Sequence, residues 1–216
     1  MESIAKLFIL SALLGIVSCK KKETQNASPV KPSPTDYVKL KPGNYWIYRE
    51  YMVTDTSETD QMITDSLYVE KDTLIAGKTY HKLVRPSHWD NTPQVSYLTD
   101  SLDYIIDYTG RIHFSANDFT TIFYSGWIMA TADTVAKVTK KMTDKDVAVA
   151  TPAGVFITSS FTTSYAIYKE FNPNEAVEHW RTRYARGIGM VTEVLAMYAF
   201  DENTAWERRL VRWHVQ

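Results

Sequence analysis

The run from His179 to Val191 constrains the fold more than any other stretch. Between His179 and Tyr184 the residues alternate. Trp180, Thr182 and Tyr184 fall on one side, and His179, Arg181 and Arg183 on the other. A period of two marks a half-buried β-strand. Met190 to Phe200 forms a second strand-like run, rich in Val, Leu, Met, Tyr and Phe. Gly187 and Gly189 stand between the two, where a tight reversal needs positive φ. A third run, Trp206 to Val215, follows the turn-like Asp201 to Asn203. This pattern predicts a three-stranded antiparallel meander.

The rest of the chain repeats the theme. Tyr45 to Val53 is dense in aromatic and β-branched residues. Asp60 to Lys71 is a further strand, and Asp72 to Val84 holds a turn at Ala76-Gly77 with strands on both sides. Val95 to Thr99, Tyr104 to Tyr108 and Arg111 to Ser115 read as short strands, with turns at Asp100-Ser101 and Thr109-Gly110. Thr121 to Trp127 follows. Ile128 to Met142 carries both a partial helical stripe and many β-branched residues, and strand is the expectation. Asp146 to Thr151 and Val155 to Thr163 flank Pro152 to Gly154 as a hairpin. Asp144 and Asp146 read as turn residues. Ten or more short strands at hairpin spacing predict an all-β domain, a sandwich or a barrel-like sheet.

The N-terminal segment is of another kind. Residues 1–18 have the form of a secretory signal, with Lys6 ahead of an apolar run from Leu7 to Val17. That run is too short to remain as a membrane-spanning helix. Ile16 to Cys19 resembles the lipobox of bacterial lipoprotein signals, which implies cleavage before Cys19 and a lipid on its sulfur. Residues 19–35 mix lysines with Thr, Asn, Ser and three prolines, the composition of an extended tether. Lys20, Lys21 and Lys22 suit an anionic headgroup surface or plain solvent. Residues 36–216 form the single expected domain. Cys19 is the only cysteine, so no internal disulfide can form. The formal net charge of −1 lacks the basic footprint of a nucleic-acid binder. Lys20 after the cysteine, rather than Asp, favours the outer membrane. The face of that membrane stays open.

Four stretches occur in order: Gly43 to Tyr48, Val69 to Tyr80, Val149 to Phe156 and Tyr184 to Val191. Together they resemble a broad group of secreted proteins and lipoprotein domains of Bacteroidota, itself similar to the LolA/LolB-like lipoprotein carriers. The resemblance implies a single strongly curved antiparallel sheet, an unclosed barrel. In such carriers the concave face takes acyl chains with the help of lid helices. No lid helix is evident in this sequence, and no catalytic residue transfers.

Chemistry is sparse. The five histidines, His81, His88, His113, His179 and His214, show no metal-ligand spacing, and no metal or cofactor is expected. No Gly-x-Ser-x-Gly elbow is present. Carboxylate pairs for glycoside hydrolysis are spatial, so the sequence does not address them. Arg181, Arg183, Arg186, Arg208, Arg209 and Arg212 admit two readings: an anion-binding face, or a solvated face paired with Glu178, Glu193 and Glu207. The second is the expectation. Trp46, Tyr48, Trp180 and Tyr184 are expected to point inward, lining either a ligand groove or a filled core. A filled core is preferred, because no lid is evident. The resulting expectation is a monomeric, non-enzymatic, lipid-anchored envelope protein. A carrier of hydrophobic ligands is the first alternative. A polysaccharide-binding or hydrolytic surface protein is the second.

Overall fold

Alternating aromatic and β-branched runs can satisfy their backbone only by pairing with one another. The computed structural model describes residues 31–87, 90, 92–130, 133–171, 177–196 and 204–216. The leader, Cys19 and the tether up to residue 30 lie outside these, as do His88 and the last part of the Met190 to Phe200 run. The described residues form β1 (Tyr45–Val53), β2 (Glu58–Ile75), β3 (Lys78–Pro86), β4 (Pro93–Ser101), β5 (Tyr104–Asp107) and β6 (Ile112–Ser115). Then follow β7 (Tyr124–Ala130), β8 (Asp133–Thr151), β9 (Gly154–Ile167), β10 (Val177–Ala185), β11 (Gly189–Ala196) and β12 (Ala205–His214). One short helix, α1 (Pro34–Tyr37), precedes them.

All twelve strands lie in one antiparallel sheet, in the order β6-β5-β4-β3-β2-β1-β12-β11-β10-β9-β8-β7. The order is two six-stranded meanders joined by β1 pairing with β12. Within each meander every strand pairs with its neighbours in sequence, as hairpin-spaced turns dictate. The turn at Ala76-Gly77 has positive φ at both residues, 48° and 80°, the geometry that suits a two-residue hairpin. The C-terminal meander β10-β11-β12 forms as the alternation predicts.

Three expectations need correction. The strands are not uniformly short: β2, β8 and β9 have 18, 19 and 14 residues. Ile128 to Met142, by contrast, is extended throughout its described part as expected, the β-branched residues outweighing the partial helical stripe. Asp144 and Asp146 are not in a connecting turn. They sit inside β8, both at positive φ, where the pairing with β9 slips between Thr143 and Val147. Asp tolerates the left-handed region in a bulge as readily as in a turn, so composition alone does not separate the two. The strand β4 also runs through Asp100 and Ser101, moving that turn to Leu102-Asp103.

A chain-length argument bends the sheet. Its end strands, β6 and β7, stand eleven strand spacings apart, roughly 52 Å in a flat layer. Residues 116–123 connect them and reach at most about 30 Å. The layer is therefore bent rather than flat, though it neither closes nor curls strongly. Side chains far apart in strand order meet across its inner face. Phe114 of β6 lies 5.0 Å, centroid to centroid, from Tyr184 of β10, and the Ser115 amide donates to the Met142 sulfur at 3.4 Å. The two end strands do not pair, so the sheet is open.

Residues 31–44 pack against one end of this enclosure. Ser33 caps α1 in a capping box with Asp36. Tyr37 packs on Phe114 at 5.3 Å, and Val38 and Leu40 are buried. Contacts begin ahead of residue 36: Lys31 pairs with Asp103 at 2.7 Å, and Asn117 donates to the Pro32 carbonyl at 2.9 Å.

The reversal between β10 and β11 places Gly187 and Gly189 at φ of +79° and +109°. The two differ in surroundings. A side chain on Gly187 would enter open space, whereas one on Gly189 would meet the Trp46 indole at 2.7 Å. Trp46 is 2% exposed and donates from Nε1 to the Ile188 carbonyl at 2.7 Å. Gly187→Val is expected to cost about 1–2 kcal/mol through backbone strain. Gly189→Val adds a clash with a buried ring and costs more. Paired thermal melts check the ranking, and equal losses at both positions contradict it.

Candidate functional site

The inner face carries charge at its centre. Strand parity puts Glu50 on the same side of β1 as Trp46 and Tyr48. The register sets Glu50 opposite Arg208 of β12, and Arg208 opposite Glu193 of β11. The three form a row across adjacent strands. Arg208 Nε lies 3.1 Å from Glu50 Oε1 and 2.7 Å from Asp65 Oδ2 of β2, and its Nη1 donates to Glu193 Oε2 at 3.0 Å. The Arg208 side chain is 5% exposed. Arg85 of β3 closes the cluster from across the interior. Its Nη1 reaches both Glu193 oxygens at 2.7 and 2.8 Å.

Three carboxylates face two guanidinium groups, and the imbalance shows in their protonation. Burial pushes the Glu193 carboxyl up. Arg85 and Arg208 together outweigh burial and hold it below the ordinary carboxylate range. Burial also pushes Asp65 up, and there the attraction of Arg208 falls short, leaving it raised. Asp65 Oδ1 is buried without a hydrogen-bond partner. The phenol of Tyr48, which donates to the Met190 carbonyl at 3.0 Å, is raised by burial and then by Glu193.

One cavity adjoins this cluster, and a second adjoins the first. The smaller, about 220 Å³, is lined by Leu98, Trp180 and Tyr184, with Arg85, Arg181 and Glu193 among its polar groups. The larger, about 520 Å³, is walled by Ile128, Val138, Tyr165 and Tyr124, with Arg111 and Lys140 among its polar groups. His113 and Phe161 line both. His113 Nε2 lies 3.0 Å from Asp107 Oδ2. The other Asp107 oxygen accepts from the Thr109 amide, the Thr109 hydroxyl and the Arg111 amide. Burial raises the Asp107 carboxyl, but these donors bring it down to about 2.

The four aromatics singled out from the sequence divide. Trp46 and Tyr48 are filled core, 2% and 1% exposed. Trp180 and Tyr184 line the smaller cavity. The arginines do not make one face. Arg181 pairs with Asp144, Arg186 with Asp36, and Arg209 with Glu58 and Glu207. Arg183 donates to the Thr192 hydroxyl, and Arg212 is exposed. The expected pairing of Arg208 with Glu193 exists but is buried rather than solvated, because Arg208 shares the inner face with Leu210. The Glu178 side chain and Cys19 lie outside the described residues. The sequence pattern did not single out Glu50, Asp65, Arg85, Arg111 or Lys140, and His113 was weighed only as a metal ligand. Among the described residues, no group of three His, Cys, Asp or Glu side chains is placed to hold a metal ion.

No family model and no curated protein matches the chain. Two solved structures do, weakly. One is a Bacteroides fragilis protein described as exported, with a YmcC-like fold. It shows 12% identity and a TM-score of 0.43, over 82% of this chain and 98% of that one. The other is a Parabacteroides distasonis protein described as a lipoprotein. It shows 14% identity and a TM-score of 0.43, over 85% of this chain and 100% of that one. No residue role passes from either to this chain.

Removing Arg208 tests the cluster. Arg208→Met leaves three inner-face carboxylates without their shared cation and is expected to cost about 3–5 kcal/mol at pH 7. The deficit shrinks as pH falls towards 4, for two reasons of the same sign. In the variant the stranded carboxyls have raised folded-state pKa values, so their penalty disappears on protonation. In the parent, the depressed Glu193 stabilises only above the unfolded carboxylate range and loses that contribution in acid. Urea unfolding of both proteins at several pH values reads the gap. A gap that widens in acid contradicts this account.

Proposed function

We propose that the chain is a non-enzymatic, lipid-anchored envelope protein that holds a small hydrophobic ligand inside its sheet. The observation that carries the ligand reading is the pair of adjoining cavities on the inner face, sharing His113 and Phe161. A volume of about 520 Å³ lies within the range of small-molecule sites, about 300–1,000 Å³. The core is filled on the β1 side, where Trp46 and Tyr48 sit, and hollow on the β8 to β10 side. This division favours the binder over the wholly filled core. An open antiparallel sheet with an interior cavity also fits the resemblance to LolA/LolB-like carriers.

The non-enzymatic part rests on how the acids are used. Glu50, Asp65 and Glu193 are all tied to Arg208, and Asp107 is occupied by four donors. None is left as an uncommitted base beside the cavity. For the polysaccharide alternative, Trp127 is the exposed tryptophan among the described residues, at 57%, stacked on Tyr168 at 6.3 Å. A single stacked pair on an end strand is a small platform for a sugar chain.

The anchor rests on Ile16 to Cys19. Each buried methylene of an acyl chain contributes about 0.8 kcal/mol, and stable attachment needs more than one chain. The outer membrane is the proposed destination, and the protein acts there as a monomer. Mass spectrometry of the native N-terminal peptide is expected to find Cys19 first and acylated. An unmodified Cys19, or a start further along the chain, removes the anchor from the proposal.

Ligand uptake has its own test. N-phenyl-1-naphthylamine, an uncharged fluorescent hydrophobic probe, is expected to bind saturably. Trp180→Ala, which strips one wall of the smaller cavity, and Val138→Phe, which fills the larger one, should each weaken uptake several-fold. Thermal melts separate this from unfolding. An absence of saturable uptake by the parent protein defeats the ligand reading.

A further inference from the structure

The geometry points to a ligand with a negative head: the larger cavity takes an anionic amphiphile. Its carboxylate or phosphate sits at Lys140 and Arg111, and its apolar body runs along Ile128, Val138, Phe161 and Tyr165. This inference rests on the reading of the cavity as a ligand site and adds the chemical class.

The first argument is charge balance. Lys140 and Arg111 both line the larger cavity. Among the described residues, neither has a carboxylate within ion-pair distance. The one carboxylate in that wall, Asp107, is already saturated. His113 takes one of its oxygens, and Thr109 and the Arg111 amide take the other. The arginine, lysine and carboxylate side chains of the wall thus number two cations against one anion.

The second argument is the cost of that arrangement. Lys140 is half-buried on β8, with its Nζ 5.7 Å from the Tyr124 ring centre. Burial, followed by repulsion from Arg111, pushes its ammonium below the ordinary lysine range. The attraction of Asp107 offsets this only in part, and a cation held partly out of water with no carboxylate in ion-pair contact is unfavourable. An anion arriving between Lys140 and Arg111 relieves both the desolvation and the repulsion. Charge-assisted hydrogen bonds to such a head are stronger than neutral ones.

The third argument concerns direction. The guanidinium groups that line the smaller cavity, Arg85 and Arg181, are already paired with Glu193 and Asp144. An anionic head placed there meets guanidinium groups already engaged. The contrast between engaged guanidinium groups in the smaller cavity and the cations of the larger one therefore orients the ligand, with its head at Lys140 and its tail inward past Phe161. The apolar surface for that tail is continuous, since Phe123 stacks on Phe161 at 6.5 Å.

Displacement of N-phenyl-1-naphthylamine from the full-length protein tests the inference. The competitors are four amphiphiles of equal chain length: dodecanoate, dodecyl phosphate, dodecanol and dodecyltrimethylammonium. At least one anion is expected to compete about tenfold or more better than the alcohol, the worth of one charged hydrogen bond. Which anion does so assigns a carboxylate or a phosphate head. Lys140→Met combined with Arg111→Gln should bring the anions to the level of the alcohol and leave the alcohol unchanged. If that double variant does not fold, the parent still decides. The advantage of the anion should shrink between about 0.05 and 0.5 M NaCl, as screening requires. Equal competition by alcohol and anions, or preference for the cation, overturns the charged-head inference while leaving the cavity a ligand site. Failure of the probe itself to bind removes the site and this inference with it.

Discussion

Arg208 is the cation on which the inner face depends. It stands on β12, at the one place where the two six-stranded meanders pair, and gathers carboxylates from β1, β2 and β11. An exposed ion pair contributes little, about 0–1 kcal/mol. Here the acids are out of water, so removing the cation leaves them with too little positive charge nearby. The cluster also selects register. Sliding β12 by one residue against β1 moves Arg208 to the outer face and strands Glu50 opposite a residue of the wrong parity. The seam is thus specified by chemistry, where the rest of the sheet is specified by short turns.

Much of the architecture was legible. The alternation at His179 to Tyr184, the glycines that follow and the Ala76-Gly77 turn each named a local pairing that the sheet contains. Those are short-range signals, and hairpins are short-range objects. The β1–β12 seam was not legible, because no local pattern in Tyr45 to Val53 announces a partner at Ala205 to His214. The lengths of β2 and β8 were hidden for another reason. Their outer faces are polar and carry no Pro or Gly, so runs of Asp, Glu and Lys read as interruptions when they are the solvent side of a continuing strand.

The site was half legible. Parity correctly grouped Trp46 with Tyr48, and Trp180 with Tyr184, but did not say how close the facing wall would come. Trp46 and Tyr48 meet the β10–β11 reversal and Met190 and are filled in. Trp180 and Tyr184 face a wall that stands off. Packing across an enclosure is a long-range property, and parity is a local one. Glu50 was the missed clue. An acid two positions after Tyr48 in an inward-alternating strand demands a buried cation, and six arginines near the C-terminus were candidates to supply it.

The strand order has a consequence for how the molecule comes together. Ten of the eleven strand pairings join consecutive strands, and only the β1–β12 seam joins distant ones. The backbone amide of Gln216 donates to the Asn44 side chain at 3.0 Å, so the outer limits of that seam lie side by side. In topological terms the sheet is a circular permutation of an uninterrupted twelve-strand meander. Opening the 116–123 connection and splicing β12 to β1 would make every pairing local. Closing a loop costs entropy that grows with its length, and non-local topology slows folding. In the natural order that cost concentrates in a single step, the meeting of β12 with β1. That step also brings Arg208 into contact with Glu50.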